Sequence, residues 1–128
     1  MEKKQITKEN LDHARNWAVE NLLNKKVYHK DLKGKKYIEF NKAGIDHLIF
    51  AKTYDLKIKL IYSAINLIEK STLFSIEKDK KGRANIKAIY KFVSTWENEE
   101  KQYFVYIIVR ETTQGKFYYD HGIIKQKP

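Results

Sequence analysis

Residues 102–111, QYFVYIIVRE, admit few folds. Successive side chains of a β-strand point to opposite faces, so Tyr103, Val105, Ile107 and Val109 take one face and Phe104, Tyr106 and Ile108 the other. Both faces are apolar. Such a strand is central in its sheet, and is either covered on both sides or covered on one and used for binding on the other. The surrounding sequence supplies neighbours. From Leu73 onward the hydrophobic period is alternating rather than helical, and four strands are readable near 73–78, 85–96, 102–111 and 117–124. The turns DKKGR, ENEEK and TTQGK separate them, and turns this short join antiparallel neighbours.

The first seventy residues read differently. Thr7 is placed to cap a helix running to about Leu23, with Leu11, Ala14, Trp17, Ala18 and Leu22 on one stripe and His13 and Arg15 off it. Val27-Tyr28 and Tyr37–Phe40 flank a loop containing Gly34, which suits a small hairpin or an irregular β-excursion. Asn41 can cap a short helix over KAGIDHLIF. After a break near Thr53, Asp55 opens a longer helix to about Lys70, with Ile58, Ile61, Ala64, Ile65 and Ile68 facing inward. The expected fold is a single α+β domain over 1–128. Its helical part, about 6–70, packs on a four-stranded antiparallel meander sheet over about 73–124.

Composition narrows the chemistry. There is no cysteine, so disulfides, thiolate metal sites and a cysteine nucleophile are excluded. The four histidines show no metal-binding spacing, and no phosphate-binding glycine loop or nucleophile elbow is present. No cofactor and no metal are expected. The N-terminus lacks the apolar run of a signal peptide, and no stretch approaches the roughly 18 apolar residues of a membrane span, so a cytoplasmic location is expected. The net charge of +10 favours a polyanionic partner such as RNA. Yet only three of the 26 basic residues are arginine, and an excess of lysine beside many Ile, Asn and Tyr is also what an AT-biased genome writes.

The remaining reactive types are His, Tyr, Arg, Lys and Thr. They suit metal-free RNA cleavage, which needs a base for the 2′-hydroxyl, an acid for the leaving oxygen and cations for the phosphorane. His47, among the apolar residues of AGIDHLIF, is one candidate; the alternative is a half-buried histidine bonded to backbone. Arg110 and Thr112 share a parity and emerge together at the end of the central strand. In GKFYYDHGII, Phe117, Tyr119, His121 and Ile123 alternate with Tyr118 and Asp120. Tyr119 and His121 join Arg110 only if the register allows it. Otherwise 117–124 is an aromatic edge strand whose polar residues blunt its edge.

The order helix, KYIEFNKAGIDHLI, amphipathic helix, then a meander closing on QYFVYIIVRETTQGKFYYDHGI resembles the nuclease-like domains of phage polyvalent proteins and bacterial polymorphic toxins. Those domains are grouped with the barnase–EndoU–colicin–RelE-like superfamily. The resemblance spans about Ile6 to Ile124. It implies metal-independent endoribonuclease activity at the open face of the sheet, in a phage or toxin-system effector. His47 would then be a general acid or base and Arg110 a phosphate ligand, with Thr112, Tyr119 and His121 as supporting or acid/base groups. RNA and an acidic immunity or partner protein would be the partners, without a membrane. The alternative is a non-catalytic nucleic-acid-binding or protein-interaction domain of the same fold.

Overall fold

The computed structural model describes residues 4–34, 36–48 and 54–128. Its elements run α1 (Lys8–Asn21), β1 (Lys26–Tyr28), β2 (Tyr37–Glu39), α2 (Lys42–Leu48), α3 (Asp55–Ile61), α4 (Ala64–Lys70), β3 (Thr72–Glu77), β4 (Ile86–Asn98), β5 (Lys101–Thr112) and β6 (Phe117–Gln126). The break expected near Thr53, and Ile49, lie outside the described residues.

Local chemistry explains the starts of α1 and α2. Thr7 is extended, and its hydroxyl accepts the Asn10 N–H at 3.1 Å, satisfying one donor that the first turn of α1 leaves open. Ala14, Ala18 and Leu22 then line up at helical spacing and are fully buried. Asn41 does the same for α2, its Oδ1 accepting the Gly44 N–H at 3.0 Å. The single helix expected over 55–70 is instead two. The Ser63 N–H turns back to the Leu60 carbonyl, and the Ser63 carbonyl restarts the ladder at Leu67. The break reorients the chain so that Leu56, Ile58, Leu60 and Ile61 are buried on α3, and Ala64, Leu67 and Ile68 on α4. That set is wider than one straight helical stripe.

The expected four-stranded antiparallel meander carrying the helices is not the architecture. Among the described residues, four short helices accompany a six-stranded mixed sheet that curls into a half-barrel, in the order β1-β2-β6-β5-β4-β3. Strands β3 to β6 are antiparallel neighbours in sequence order, but β6 is not an edge. Its free side is taken by β2 in parallel, Ile38 opposite Phe117 and Glu39 opposite Tyr118, and β1 pairs antiparallel outside β2. An unpaired β6 would leave a row of backbone donors and acceptors open, and β2 pairs with its first two residues. A parallel partner requires a long crossover, here the whole chain from 40 to 116. Ile38 and Phe40 are fully buried, which anchors so short a strand. The core joins α1, α3 and α4 to one face of the sheet through residues such as Leu22, Ile61, Leu67, Phe92, Val105 and Val109.

The loop after β1 is tied to the sheet by His29, which is fully buried. The Asp31 N–H donates to its Nδ1 at 3.0 Å, so Nε2 carries the proton and points it at the Ser71 carbonyl (3.1 Å) and hydroxyl (3.0 Å). The Ser71 hydroxyl in turn donates to the Ile68 carbonyl, and the ring packs on Phe92 with centroids 4.4 Å apart. Burial is the main cause of a His29 pKa below the ordinary 6.5. The unfolded chain therefore takes up this proton first, and the stability due to neutral His29, complete above pH 6.5, is lost as pH falls below it. His29→Gln should cost about 1–3 kcal/mol at neutral pH and flatten the acid slope of stability. Urea unfolding at several pH values checks this; equal slopes in variant and wild type would show that His29 is not the responsible group.

Candidate functional site

An extra residue in β6 creates the site. The β5–β6 register pairs Ile108 with His121 and Val109 with Tyr119, so Asp120 has no opposite number on β5. Such a bulge reverses side-chain parity beyond it. Tyr119 and His121, alternate residues that a regular strand would place together, point to opposite faces. Tyr119 is buried in the core, stacked on Phe40 with centroids 5.1 Å apart, and burial followed by the charge of Asp120 pushes its hydroxyl pKa up. His121 faces the other side, in a groove with Tyr106, Ile108 and Ile123.

Asp120 itself turns into a ring of donors. Arg110 Nη1 donates to Oδ1 at 2.9 Å and to the Tyr119 carbonyl at 3.3 Å, while Nη2 donates to Asn41 Oδ1 at 3.1 Å. His121 Nδ1 lies 3.1 Å from Oδ2, and His47 Nδ1 lies 2.8 Å from the Asp120 backbone carbonyl and 3.6 Å from Oδ1. The Asp120 side chain is 5% exposed and that of Arg110 10%, against 50% for His47 and 43% for His121. The pKa of Asp120 is held down to about 2, first by the His121 hydrogen bond and further by the charges of His121, Arg110 and His47, against the opposing effect of burial. Asp120 is therefore ionised at neutral pH and accepts only.

That ionisation decides the imidazole tautomers. A carbonyl oxygen and a carboxylate cannot donate, so the proton of each neutral ring sits on Nδ1. Nε2 of both His47 and His121 is then the basic nitrogen. Close docking of α2 on β6 brings His47 within reach. A Cβ at Gly44 would lie 2.5 Å from the Tyr119 carbonyl oxygen, so α2 approaches this closely only through glycine.

Beside these groups lies a groove of about 440 Å³, floored by Ile89, Tyr106, Ile108 and Ile123 and continuous through Lys81, Asp120 and His121 with a recess of about 300 Å³ at His47. Its far wall is the 79–83 turn. Asp79 accepts the backbone N–H groups of Lys81 and Arg83 and the Arg83 Nε at 2.9 Å, and the Arg83 hydrogen bond holds its pKa at about 2. Gly82, at φ +63°, closes the turn. Glu77 is likewise matched by Lys91 at 2.7 Å. Each carboxylate in the wall thus has its cation, whereas Lys78, Lys80, Lys81 and Lys125 form no salt bridge among the described residues. The groove carries surplus positive charge.

The five residues singled out from sequence separate as follows. His47, Arg110 and His121 meet at Asp120. Arg110 spends three hydrogen bonds inside the protein, which gives it a positioning place. Tyr119 contributes its backbone carbonyl there, not its hydroxyl. Thr112 stays at the β5–β6 turn, its hydroxyl accepting the Lys116 N–H at 3.1 Å. Asp120, Asn41 and the 79–83 turn escaped the reading of the sequence as site residues. Tyr-Asp-His followed by glycine in a strand was the available signal for a bulge.

A family model, large polyvalent protein-associated domain 3, matches residues 6–119. The chain belongs to that family. The match supports the link of this domain to polyvalent phage proteins. No curated protein and no solved structure matches it. Among the described residues of the domain, no helix is long and apolar enough to cross a membrane, and no group of three or more His, Asp and Glu could hold a metal ion.

Removing Asp120 leaves a buried guanidinium uncompensated. Asp120→Ala should destabilise the domain by about 3–5 kcal/mol at neutral pH. The contribution of the carboxylate is complete above the ordinary pKa of 3.8 and lost as pH falls from there to about 2, so the gap between wild type and variant should narrow over that window. Chemical unfolding at pH 7 and through the acid range tests both; a gap independent of pH would contradict the ion pair.

Proposed function

We propose that this domain cleaves RNA at the junction of groove and recess, using His47 and His121 as the acid–base pair and no metal. The observation that carries the proposal is two half-exposed imidazoles held on one buried aspartate, His121 by its carboxylate and His47 by its backbone carbonyl, at the edge of a cation-lined groove. One neutral Nε2 takes the ribose 2′-hydroxyl proton as O2′ attacks phosphorus. The other ring, protonated, gives its proton to the departing 5′ oxygen as the P–O5′ bond breaks. The products are a 2′,3′-cyclic phosphate and a 5′-hydroxyl. Lys81, which lines both groove and recess, offsets the charge that builds on the phosphorane oxygens. Asp120 fixes the tautomers and stabilises whichever imidazolium is present, and Arg110 keeps Asp120 ionised and in place. These roles agree with membership of the barnase–EndoU–colicin–RelE-like group that the sequence resembles, and an RNA-cleaving effector is a fitting load for a polyvalent phage protein.

A second reading, RNA binding without cleavage, is favoured by the lysine surplus of the groove and by the internal engagement of Arg110. Incubation with total RNA in excess EDTA separates the two. Cleavage predicts cyclic phosphate ends from the wild type and a rate about 10²–10⁴ lower for His47→Ala and for His121→Ala, both folded. Intact RNA after prolonged incubation with folded wild type would discard the catalytic role and leave binding.

A further inference from the structure

We propose that the open face of β5 is a stacking track for single-stranded RNA, leading away from the histidine pair through Tyr106 to Phe104; the place of the cut on that strand rests on the ribonuclease reading above. Ile108, Tyr106 and Phe104 alternate along β5 on the face opposite the core, and Ile108 is directly paired with His121. Two residues of strand advance about 6.8 Å, the reach of one extended nucleotide. The track thus begins at the site and offers one aromatic ring per step.

The rings are arranged for use. Phe74, more than half exposed, meets Tyr106 edge-on with centroids 5.8 Å apart, and Phe104 lies 6.5 Å from Tyr106. Each of these two β5 rings has a lysine over it, Lys125 Nζ 5.6 Å from the Tyr106 centroid and Lys127 Nζ 4.7 Å from that of Phe104. A base stacking on either ring displaces a lysine already poised beside it, and that lysine then meets the adjoining phosphate. An aromatic face paired with a mobile cation, repeated at nucleotide spacing, suits a strand of bases and phosphates better than an acidic polypeptide, which needs cations but no ring faces.

The test uses fluorescently labelled oligodeoxyuridylates of two and eight nucleotides, which lack the 2′-hydroxyl and survive whether or not the domain is a ribonuclease. The eight-mer should bind at least tenfold more tightly than the dimer. Tyr106→Ala and Phe104→Ala should each weaken eight-mer binding about tenfold, and Phe104→Ala, which lies outside the groove lining, should leave dimer binding unchanged. Tyr106→Leu and Phe104→Leu, which keep apolar volume, should fold as the wild type and show the same loss. Equal affinity for dimer and eight-mer, no effect of the leucine variants, or displacement by polyglutamate as effective as by unlabelled eight-mer would overturn the track. RNA cleavage without length dependence would sink the track and spare the catalytic reading; length-dependent binding without cleavage would do the reverse.

Discussion

The contact between Arg110 and Asp120 organises this domain. Both charges are nearly excluded from water, where an ion pair holds only if its remaining hydrogen-bonding capacity is also met. It is met: Arg110 reaches Asn41 and the Tyr119 carbonyl, and Asp120 receives His121. Asn41 also caps α2, so the pair connects a helix start, a central strand and a bulge in one network. Turning the Asp120 carboxylate toward Arg110 requires the extra residue in β6, and the same residue sends Tyr119 into the core and His121 out. Packing on one side of the sheet and chemistry on the other thus share one irregularity.

The electrostatics have a clear division of labour. Carboxylates around the groove are matched by the cations nearest to them, Asp120 by Arg110, Asp79 by Arg83 and Glu77 by Lys91. Two of the three arginines in the chain, residues 83 and 110, therefore shape the site, and the lysines of the 78–81 segment face it with charge to spare. Arg holds a carboxylate through a rigid fork, whereas Lys places a mobile point charge. The distribution of basic types along the groove follows that difference, which the net charge of +10 by itself does not reveal.

Much of this was legible from local pattern. The Thr7 and Asn41 caps, the apolar stripe of α1, and the extents of β3 to β6 follow from side-chain period and turn chemistry, which act over a few residues. What escaped depends on distant partners. Pairing of β2 with β6 joins residues about eighty positions apart through strands too short to carry a pattern. The break at Tyr62–Ser63 answers to how α3 and α4 pack, not to helix propensity. Parity at Tyr119 and His121 was misread because one unpaired residue inverts it, and His29, polar in sequence, is buried because Ser71 and Asp31 satisfy its nitrogens. His47 and Arg110 stood out in sequence as unusual in apolar surroundings, but their common partner Asp120 did not.

The claim on which the site rests is that Asp120 and its backbone carbonyl hold both imidazoles with the proton on Nδ1. Long-range nitrogen–proton correlation NMR on histidine-labelled protein reads this directly, at about pH 8.5, above the ordinary imidazole range. The predicted result is protonated Nδ1 and bare Nε2 for His47 and His121, with Asp120→Ala releasing His121 to a mixture of tautomers. A proton on Nε2 of either ring in the wild type would contradict the account.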